Sequence, residues 1–277
     1  MGLARSVPWS WYSDPDVLRL EQERIFRHAW QYVGHEGRAA EVGARFAGWA
    51  GDVPVVVVRS EDGLRAFLNV CRHRGSLLVE GDGARASIQC PYHAWTYGLD
   101  VTTLAYRGRS RDWVVEANWK VVVENYLECY HCPVAHKAFS AAYDVDPDSY
   151  RLEATSKHVL SQFAPAREAG EGQFHFVWPN LKLNAYAGTP NLSIGPLLPA
   201  GPERSTGFLD YFFAADSDEQ WVEELLAFDR QVGAEDRALV ERVQKGVRSG
   251  VVEEGRLLGE SEQLVTRFQE LVSGALS

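Results

Sequence analysis

The chain begins with one helix-like pattern and then changes to short strand-like patterns. The Ser-Asp-Pro sequence that starts at Ser13 is a helix-start signal, and the apolar positions after it predict a helix to about Trp30. From there to about Tyr106, short apolar runs such as 53–58 and 64–70 alternate with glycines that mark turns. This part of the sequence predicts a small all-β module.

The rest of the chain combines helices with a second set of strands. Residues 116–131 have an apolar face at helical spacing, and we expect Pro133 to break this helix. Residues 152–211 return to strands with Pro/Gly turns, and amphipathic helices follow at 220–247 and 260–272. The alternation predicts an α+β fold, with an all-β part before a part that contains both strands and long helices.

Composition and charge narrow the classes of function. The 277 residues are 45% hydrophobic and 24% charged, which is typical of a globular protein of one or two domains. Lys and Arg number 28 against 38 Asp and Glu, so the net charge of −10 disfavours nucleic acid and anionic membrane as partners. Four cysteines are too few for a disulfide framework, and no apolar run is long enough to span a bilayer. We therefore expect a cytoplasmic protein.

Two cysteines and two histidines form the first candidate site. Cys71-Arg-His73 is followed, after 16 intervening residues, by Cys90-Pro-Tyr-His93. Two short Cys/His pairs at this separation can present four ligands to one metal centre. The spacing alone leaves a structural zinc site open as an alternative to an iron–sulfur cluster.

A second candidate site lies on the helix predicted at 116–131. Asn125, Glu128 and His131 follow one another at three-residue spacing, so they share a helix face. His136 lies five residues further, and the expected break between the two histidines lets the chain return its imidazole to the same place. Two such histidines suggest the 2-His-1-carboxylate set of ligands that holds Fe(II) and leaves coordination positions open.

The carboxylate for this set must come from elsewhere, and the helix predicted at 220–247 offers it. Asp236 lies in the apolar stripe of that helix, where a carboxylate is unfavourable unless it is paired or binds a metal. Asp229 shares the stripe and is the second candidate, whereas Glu235 points about 100° away and is expected to be solvated. A salt-bridged core carboxylate is the alternative for Asp236. The apolar members of the stripe are Leu225, Val232, Val240, Val243 and Val247.

Cys129 and Cys132 flank His131 at a Cys-x-x-Cys spacing. A redox or zinc-binding role is one interpretation of this spacing. Free cysteines are usually small buried hydrophobic side chains, however, and we expect that structural role here.

The two sites together, in this order, resemble the catalytic α subunit of Rieske non-haem iron oxygenases, the group that includes the aromatic-ring-hydroxylating dioxygenases. The resemblance is carried by segments 28–34, 69–75, 90–97, 118–120 and 124–136. The last of these is most similar to the branch that acts on quaternary ammonium compounds of the glycine betaine and choline type. The family implies an N-terminal all-β Rieske domain and a C-terminal helix-grip (START-like) domain, an antiparallel sheet with long helices. We place the N-terminal helix, the Rieske domain and the catalytic domain at 1–30, 31–110 and 111–277.

The resemblance also implies roles for individual residues. It assigns the [2Fe–2S] cluster to Cys71, His73, Cys90 and His93. It assigns the mononuclear Fe(II) to His131, His136 and Asp236. Glu128 occupies the place of the acidic residue that bridges a cluster histidine and an iron histidine across the interface of a homotrimer. Asn125, on the same helix face, is the second residue that we expect to take part in catalysis.

The implied partners are O2, a small-molecule substrate and an external electron donor. No G-x-G-x-x-G fingerprint for a nicotinamide or flavin cofactor is visible, so electrons must come from a separate reductase or ferredoxin. Residues 59–111 carry 8 Arg against 5 acids. This local excess of positive charge either docks an acidic donor or represents scattered solvated arginines.

The expected reaction is hydroxylation or oxidative demethylation of a small organic substrate, with a quaternary ammonium compound as one candidate. The alternatives are an aromatic or natural-product substrate, a Rieske electron carrier with an inactive second domain, and a non-catalytic binding domain with a zinc site.

Only residues 94–117 separate the two motifs, fewer than is usual in the family, so an incomplete Rieske sheet or a different domain packing is expected. Five aromatic residues are either simple core or the wall of a cation-binding pocket. They are Phe174, Phe176, Trp178, Tyr186 and Tyr211.

Overall fold

The chain forms two compact units. The computed structural model describes residues 3–70, 76–84, 87–89, 91, 96–98, 110, 112–189, 191–213 and 217–277. The larger unit combines Met1–Ile25 with Ser110–Ser277, and the smaller unit is Phe26–Arg109. The N-terminal helix therefore belongs to the same unit as the C-terminal part of the chain.

Helices and strands alternate as the hydrophobic pattern predicts. The α-helices of the described chain are α1 (Pro15–Arg24), α2 (Trp119–Tyr126), α3 (Cys132–Ala135), α4 (Lys137–Ala142), α5 (Glu219–Arg248) and α6 (Gln263–Leu276). Its first eight strands are β1 (Leu3–Pro8), β2 (Ala44–Ala50), β3 (Val53–Ser60), β4 (Gly63–Leu68), β5 (Asp82–Ala84), β6 (Ser87–Gln89), β7 (Thr96–Gly98) and β8 (Trp113–Val115). The others are β9 (Arg151–Ser156), β10 (Val159–Pro165), β11 (Glu171–Val177), β12 (Leu181–Ala185), β13 (Asn191–Gly201), β14 (Arg204–Gly207), β15 (Asp210–Phe213) and β16 (Glu254–Leu258).

An antiparallel sheet of eight strands is the framework of the larger unit. Its order is β8-β14-β13-β12-β11-β10-β9, and β15 pairs with the other half of the long strand β13. Because side chains alternate across a strand, Lys182 and Asn184 of β12 share one face of the sheet, and Tyr186 directly after the strand continues the alternation. Asn184 contacts α2 and Tyr186 contacts α5, so this face is directed at the two helices. The predicted α+β fold with antiparallel sheets is confirmed.

The smaller unit contains a separate four-stranded antiparallel sheet in the order β4-β3-β2-β5, and β6 pairs with β7. Strand β3 supplies side chains to two small apolar clusters. One contains Val56, Val58 and Val79, and the other contains Ala39, Phe46 and Val57. No helix in the described parts of the chain is both long and apolar enough to cross a membrane.

The helices near the site differ from the prediction at their ends. Helix α1 stops at Arg24, not near Trp30, and α2 begins only after Asn118, whose side chain caps it by accepting from the Lys120 amide at 2.9 Å. Pro133 was expected to break a helix. It lies instead in the first turn of α3, where the missing N–H of proline removes no helical hydrogen bond. The chain is already non-helical between α2 and α3.

Buried polar side chains join α1 to α2. The Glu21 carboxylate accepts from Lys120 Nζ at 2.5 Å and from Trp119 Nε1 at 2.7 Å, and the Glu21 and Lys120 side chains are almost completely buried. A buried charge needs such a partner because its desolvation is otherwise uncompensated. This contact fixes the first turn of α2 against the N-terminal helix.

Candidate metal centre

Two histidines come together in the segment between α2 and α4. His131 precedes α3 and His136 follows it, and the His136 amide donates to the Cys132 carbonyl at 2.9 Å. The turn of α3 brings the two imidazoles into edge-to-face contact, with 3.1 Å between their Nε2 atoms. A regular helix would place His131 and His136 on different sides, whereas the non-helical stretch and the short helix bring their imidazoles together.

Helix α5 adds a carboxylate to this pair. Asp236 Oδ1 lies 3.0 Å from His136 Nε2 and 3.5 Å from His131 Nε2. The same oxygen accepts from Asn125 Nδ2 at 2.6 Å, so α2 orients the carboxylate that α5 supplies. Two imidazole nitrogens and one carboxylate oxygen therefore surround one point.

The other ring nitrogens of both histidines contact carboxylates. His131 Nδ1 donates to Glu128, and His136 Nδ1 donates to Glu235 Oε2 at 2.8 Å. A carboxylate accepts the Nδ1 proton and so leaves the Nε2 lone pair free for a metal, an arrangement typical of histidine ligands in metal sites. The residues fit a divalent transition metal with a 2-His-1-carboxylate ligand set, the type that leaves coordination positions open.

The contact between Glu235 and His136 is not indicated by the sequence. The helical pattern predicts a solvated Glu235 that points away from the apolar stripe of α5. In the structure its carboxylate instead contacts His136 Nδ1, on the side of the ring opposite Asp236. The helix is also rotated slightly from the predicted orientation. Val240, Gln244 and Val247 are its buried residues, whereas Val243, expected in the stripe, is 49% exposed.

The electrostatics of the centre favour a bound cation. Burial lowers the pKa of His131, but hydrogen bonds with Asp236 and Glu128 outweigh this effect and raise the pKa to about 9. Burial of Asp236 opposes its ionisation, yet the hydrogen bonds from His131 and His136 keep its pKa below the ordinary value. The carboxylates thus stabilise positive charge at the Nε2 atoms, where a metal ion takes the place of the protons.

Glu128 is fixed by the backbone on one side and by His131 on the other. Its Oε2 accepts from the Tyr130 amide at 2.6 Å and from the His131 amide at 3.3 Å, while Oε1 contacts His131 Nδ1. Its side chain is mostly buried, and the neighbouring Tyr130 is 59% exposed. The carboxylate therefore lies between the metal centre and the protein surface.

Cys129 and Cys132 are buried, but they are not free. Their sulfur atoms form a disulfide, and the turn that brings them together is closed by a hydrogen bond from the Cys132 amide to the Cys129 carbonyl at 3.1 Å. The expectation of free thiols is therefore wrong, while the expected burial is found. Cys132 lies close to the two histidines. In the disulfide it offers no thiolate to a metal.

Asp229 lies outside the group of ligands formed by Asp236 and the histidines. Its two oxygens accept from Tyr186 OH at 2.5 Å and from Tyr211 OH at 2.6 Å. Burial, followed by the charge of Asp229, raises the pKa of both phenols, so they stay protonated and donate. The five aromatic residues named above thus fall into two groups. Phe174 and Phe176 are buried and the half-buried Trp178 packs on Phe268, whereas Tyr186 and Tyr211 bind this carboxylate.

The predicted cluster ligands lie outside the described residues. These are Cys71, His73, Cys90 and His93. The short connection at 94–117 lies partly outside them as well, because residues 99–109 are not described. The assignment of these four ligands and the completeness of the β-module therefore stay predictions.

Comparison with known families matches both parts of the chain. A model described as "Ring hydroxylating alpha subunit (catalytic domain)" matches residues 93–165 and 145–277, and one described as "Rieske [2Fe-2S] domain" matches residues 29–109. Chloroplastic choline monooxygenase from Amaranthus tricolor is 27% identical, over 94% of this chain and 75% of that protein. The carnitine monooxygenase oxygenase subunit from Escherichia coli (strain K12) is 28% identical, over 98% of this chain and 93% of that protein.

A solved structure extends the similarity to three dimensions. The quaternary ammonium Rieske monooxygenase CntA, in complex with its substrate L-carnitine, matches with a TM-score of 0.84 and 26% identity. The match covers 99% of this chain and 96% of that chain. The two units of the chain and the sheet with its helices therefore have a counterpart in one solved protein.

Proposed function

The chain belongs to the family of ring-hydroxylating α subunits, the Rieske non-haem iron oxygenases, and from this premise we propose that it hydroxylates or oxidatively demethylates a quaternary ammonium compound. The observation that carries the proposal is the convergence of His131, His136 and Asp236 on one point, with both Nδ1 atoms bound to carboxylates. The substrate class is that of the choline and carnitine monooxygenases to which the chain is similar.

Two metal groups serve the family, a Rieske [2Fe–2S] cluster and a mononuclear iron. We assign the cluster to Cys71, His73, Cys90 and His93. We assign the iron to His131, His136 and Asp236. When bound, these groups supply single electrons and the reaction with O2. The protein residues hold the ligands in place: Asn125 orients Asp236, while Glu128 and Glu235 fix the histidine tautomers.

Glu128 connects the iron site to the surface, and we assign to it the bridging role between subunits. Its carboxylate already binds the iron histidine His131, and a cluster histidine of a second subunit is its proposed outer partner. Next to it, Tyr130 and Val134 are 59% and 81% exposed. We propose a homotrimer in which one subunit's cluster serves the next subunit's iron, with these side chains buried at the contact.

The electron donor and the location follow from the same premise. One relative is named as the oxygenase subunit of carnitine monooxygenase, a name that implies a further component, and we propose a separate reductase or ferredoxin as electron donor here. We place the protein in the cytoplasm, where such a donor and a small zwitterionic or cationic substrate are available. O2 is the remaining reactant.

An electron carrier with an inactive second domain is the main alternative. It would not need three ligand side chains within 3.5 Å of one another, nor two carboxylates that orient the histidines. The zinc-stabilised binding domain is distinguished by metal content. The oxygenase, the electron carrier and the zinc-stabilised domain therefore predict different contents of iron, sulfide and zinc.

The first experiment is metal and sulfide analysis of protein purified without oxygen, followed by one turnover. We expect about three irons and two acid-labile sulfides per chain. Reduced protein mixed with O2 and γ-butyrobetaine or choline is expected to give a product that has gained one oxygen atom or lost a methyl group or the amine. Zinc without sulfide would refute the oxygenase assignment. Two irons with no turnover would favour the electron carrier.

The role of Glu128 is tested by removing its charge while keeping its shape. Glu128→Gln should retain both metals but slow reoxidation of the reduced cluster by O2 in the presence of substrate, whereas Glu128→Asp should keep most of the rate. Reoxidation of Glu128→Gln at the wild-type rate would exclude the bridging role. The measurement is stopped-flow absorbance of the cluster.

A further inference from the structure

One lysine on the inner face of the large sheet has no polar partner in the described part of the chain. Lys182 lies on β12, a central strand, with Phe176 and Gly195 as its register neighbours. Its ammonium lies over the rings of Tyr126 and Trp113, 5.1 and 5.5 Å from their centroids. Among the described residues it forms no hydrogen bond and no ion pair.

The Lys182 ammonium lies beside α2, the helix that carries Asn125 of the metal centre. Tyr126, which its ammonium contacts, follows Asn125, the residue that holds Asp236. The charges of Asp229 and Asp236 both act on the lysine and oppose the effect of burial, which lowers its pKa. Part of the Lys182 surface is exposed, and the negative charges of both α5 aspartates act on its ammonium.

Neither carboxylate is available to neutralise it. Asp229 accepts from two tyrosine hydroxyls, and Asp236 is held by Asn125 and the histidines. The aromatic contacts position the ammonium but do not neutralise its charge. A partly buried ammonium that contacts two rings, and whose two interacting acids are already engaged, can bind an anionic group from outside the chain.

We propose that Lys182 binds the carboxylate of the substrate, so that the substrate is a zwitterion carrying both a quaternary ammonium and a carboxylate group. This inference rests on the proposed function and deepens it. A ligand with only the ammonium group would meet a like charge at Lys182, so the residue both attracts betaines and disfavours choline-type alcohols. Lys182 is thus a specificity-determining residue in a carboxylate subsite.

The test compares three ligands of one shape with iron-loaded protein by calorimetry under argon. γ-Butyrobetaine carries both charges, its methyl ester lacks the carboxylate charge, and 5,5-dimethylhexanoate lacks the ammonium. Lys182→Met keeps the length of the side chain, Lys182→Arg keeps the charge, and exposed Lys157→Met is the matched control. Iron content and melting temperature establish that each variant is folded.

We expect Lys182→Met to weaken γ-butyrobetaine binding about 10- to 100-fold, while binding of the ester is unchanged or tighter. Lys182→Arg should retain most of the affinity, and Lys157→Met all of it. Equal losses for γ-butyrobetaine and the ester, or no loss for either, would overturn the inference. If 5,5-dimethylhexanoate binds through Lys182 and neither ammonium ligand binds, the carboxylate subsite stands and the proposed substrate class falls.

Discussion

At the scale of single residues, the choice between two aspartates on one helix is made by their neighbours. Asp229 and Asp236 are seven residues apart on α5, so both lie on nearly the same helix face. Two tyrosine hydroxyls donate to Asp229, whereas two imidazoles and one side-chain amide surround Asp236. The pair therefore offers a matched comparison within one element.

Substitution of each aspartate should separate their functions. Asp236→Asn removes the anionic ligand, so we expect the mononuclear iron to be lost and cluster iron and sulfide to remain. Asp229→Asn keeps an acceptor for tyrosine and should leave the iron content unchanged. Metal and sulfide analysis of both variants checks this. Loss of iron from Asp229→Asn alone would reverse the assignment.

Glu235 is predicted to strengthen iron binding through His136. Its carboxylate orients the imidazole and makes Nε2 a better donor, and removing such a contact typically weakens metal affinity about 10- to 100-fold. Glu235→Ala should show this loss in a competition titration against a coloured chelator. Glu224→Ala, an exposed position on the same helix, is the control and should bind like wild type.

At the scale of elements, buried polar groups position α2. Besides the Glu21–Lys120 pair, Glu124 accepts from Tyr12 OH at 2.8 Å and from Gln269 Nε2 at 3.0 Å, which joins α2 to the N-terminal segment and to α6. Burial raises the pKa of Glu124 to about 7, and these hydrogen bonds offset only part of the effect. The end of α2 that carries Asn125 is thus held by hydrogen bonds to Glu124, a carboxyl group whose protonation changes near neutral pH.

This shift predicts a pH dependence of stability. Folded Glu124 binds a proton more tightly than unfolded Glu124, so its favourable contribution is full below about pH 4.5 and is lost as the pH rises to about 7. Glu124→Gln stays neutral, so its melting temperature relative to wild type should increase between pH 5 and pH 8. Glu168→Gln, at an exposed turn, is the control. A difference in melting temperature between Glu124→Gln and wild type that does not change with pH would refute the raised pKa of Glu124.

At the scale of the whole molecule, the proposed mechanism needs more than one chain. The proposal assigns Glu128 to the contact with a second subunit, and the apolar residues beside it are exposed. The smaller unit has exposed apolar residues of its own, Phe67 and Leu68, shortly before Cys71. We propose that these two sets of residues, one beside Glu128 and one shortly before Cys71 in the sequence, meet on different subunits of a head-to-tail assembly.

A charge placed in the proposed interface should disrupt it. Val134→Glu is expected to convert a trimer to smaller species in light scattering, to keep the mononuclear iron and to stop repeated turnover, since a buried unpaired charge opposes association. Val251→Glu, equally exposed but between α5 and β16, should behave as wild type. A trimer that tolerates Val134→Glu would place the interface elsewhere.

The fold class, the order of elements and the residue types of the centre follow from the sequence, because hydrophobic periodicity and short motifs are local properties. It indicated His131, His136 and Asp236, and the structure brings these three together. It did not indicate the contact of Glu235 with His136, and it predicted a helix break at Pro133 where a short helix begins.

Which side chains meet across elements depends on how the helices and strands pack in three dimensions. Asp229 and Asp236 look alike along the sequence, and the hydroxyls of Tyr186 and Tyr211 distinguish them. Along the sequence Lys182 is one polar position in a strand, and the folded sheet places its ammonium over the Tyr126 ring of α2, where the charges of both aspartates act on it. Such contacts join residues far apart in the chain, and their geometry depends on the packing of helices on the sheet, which no local pattern records.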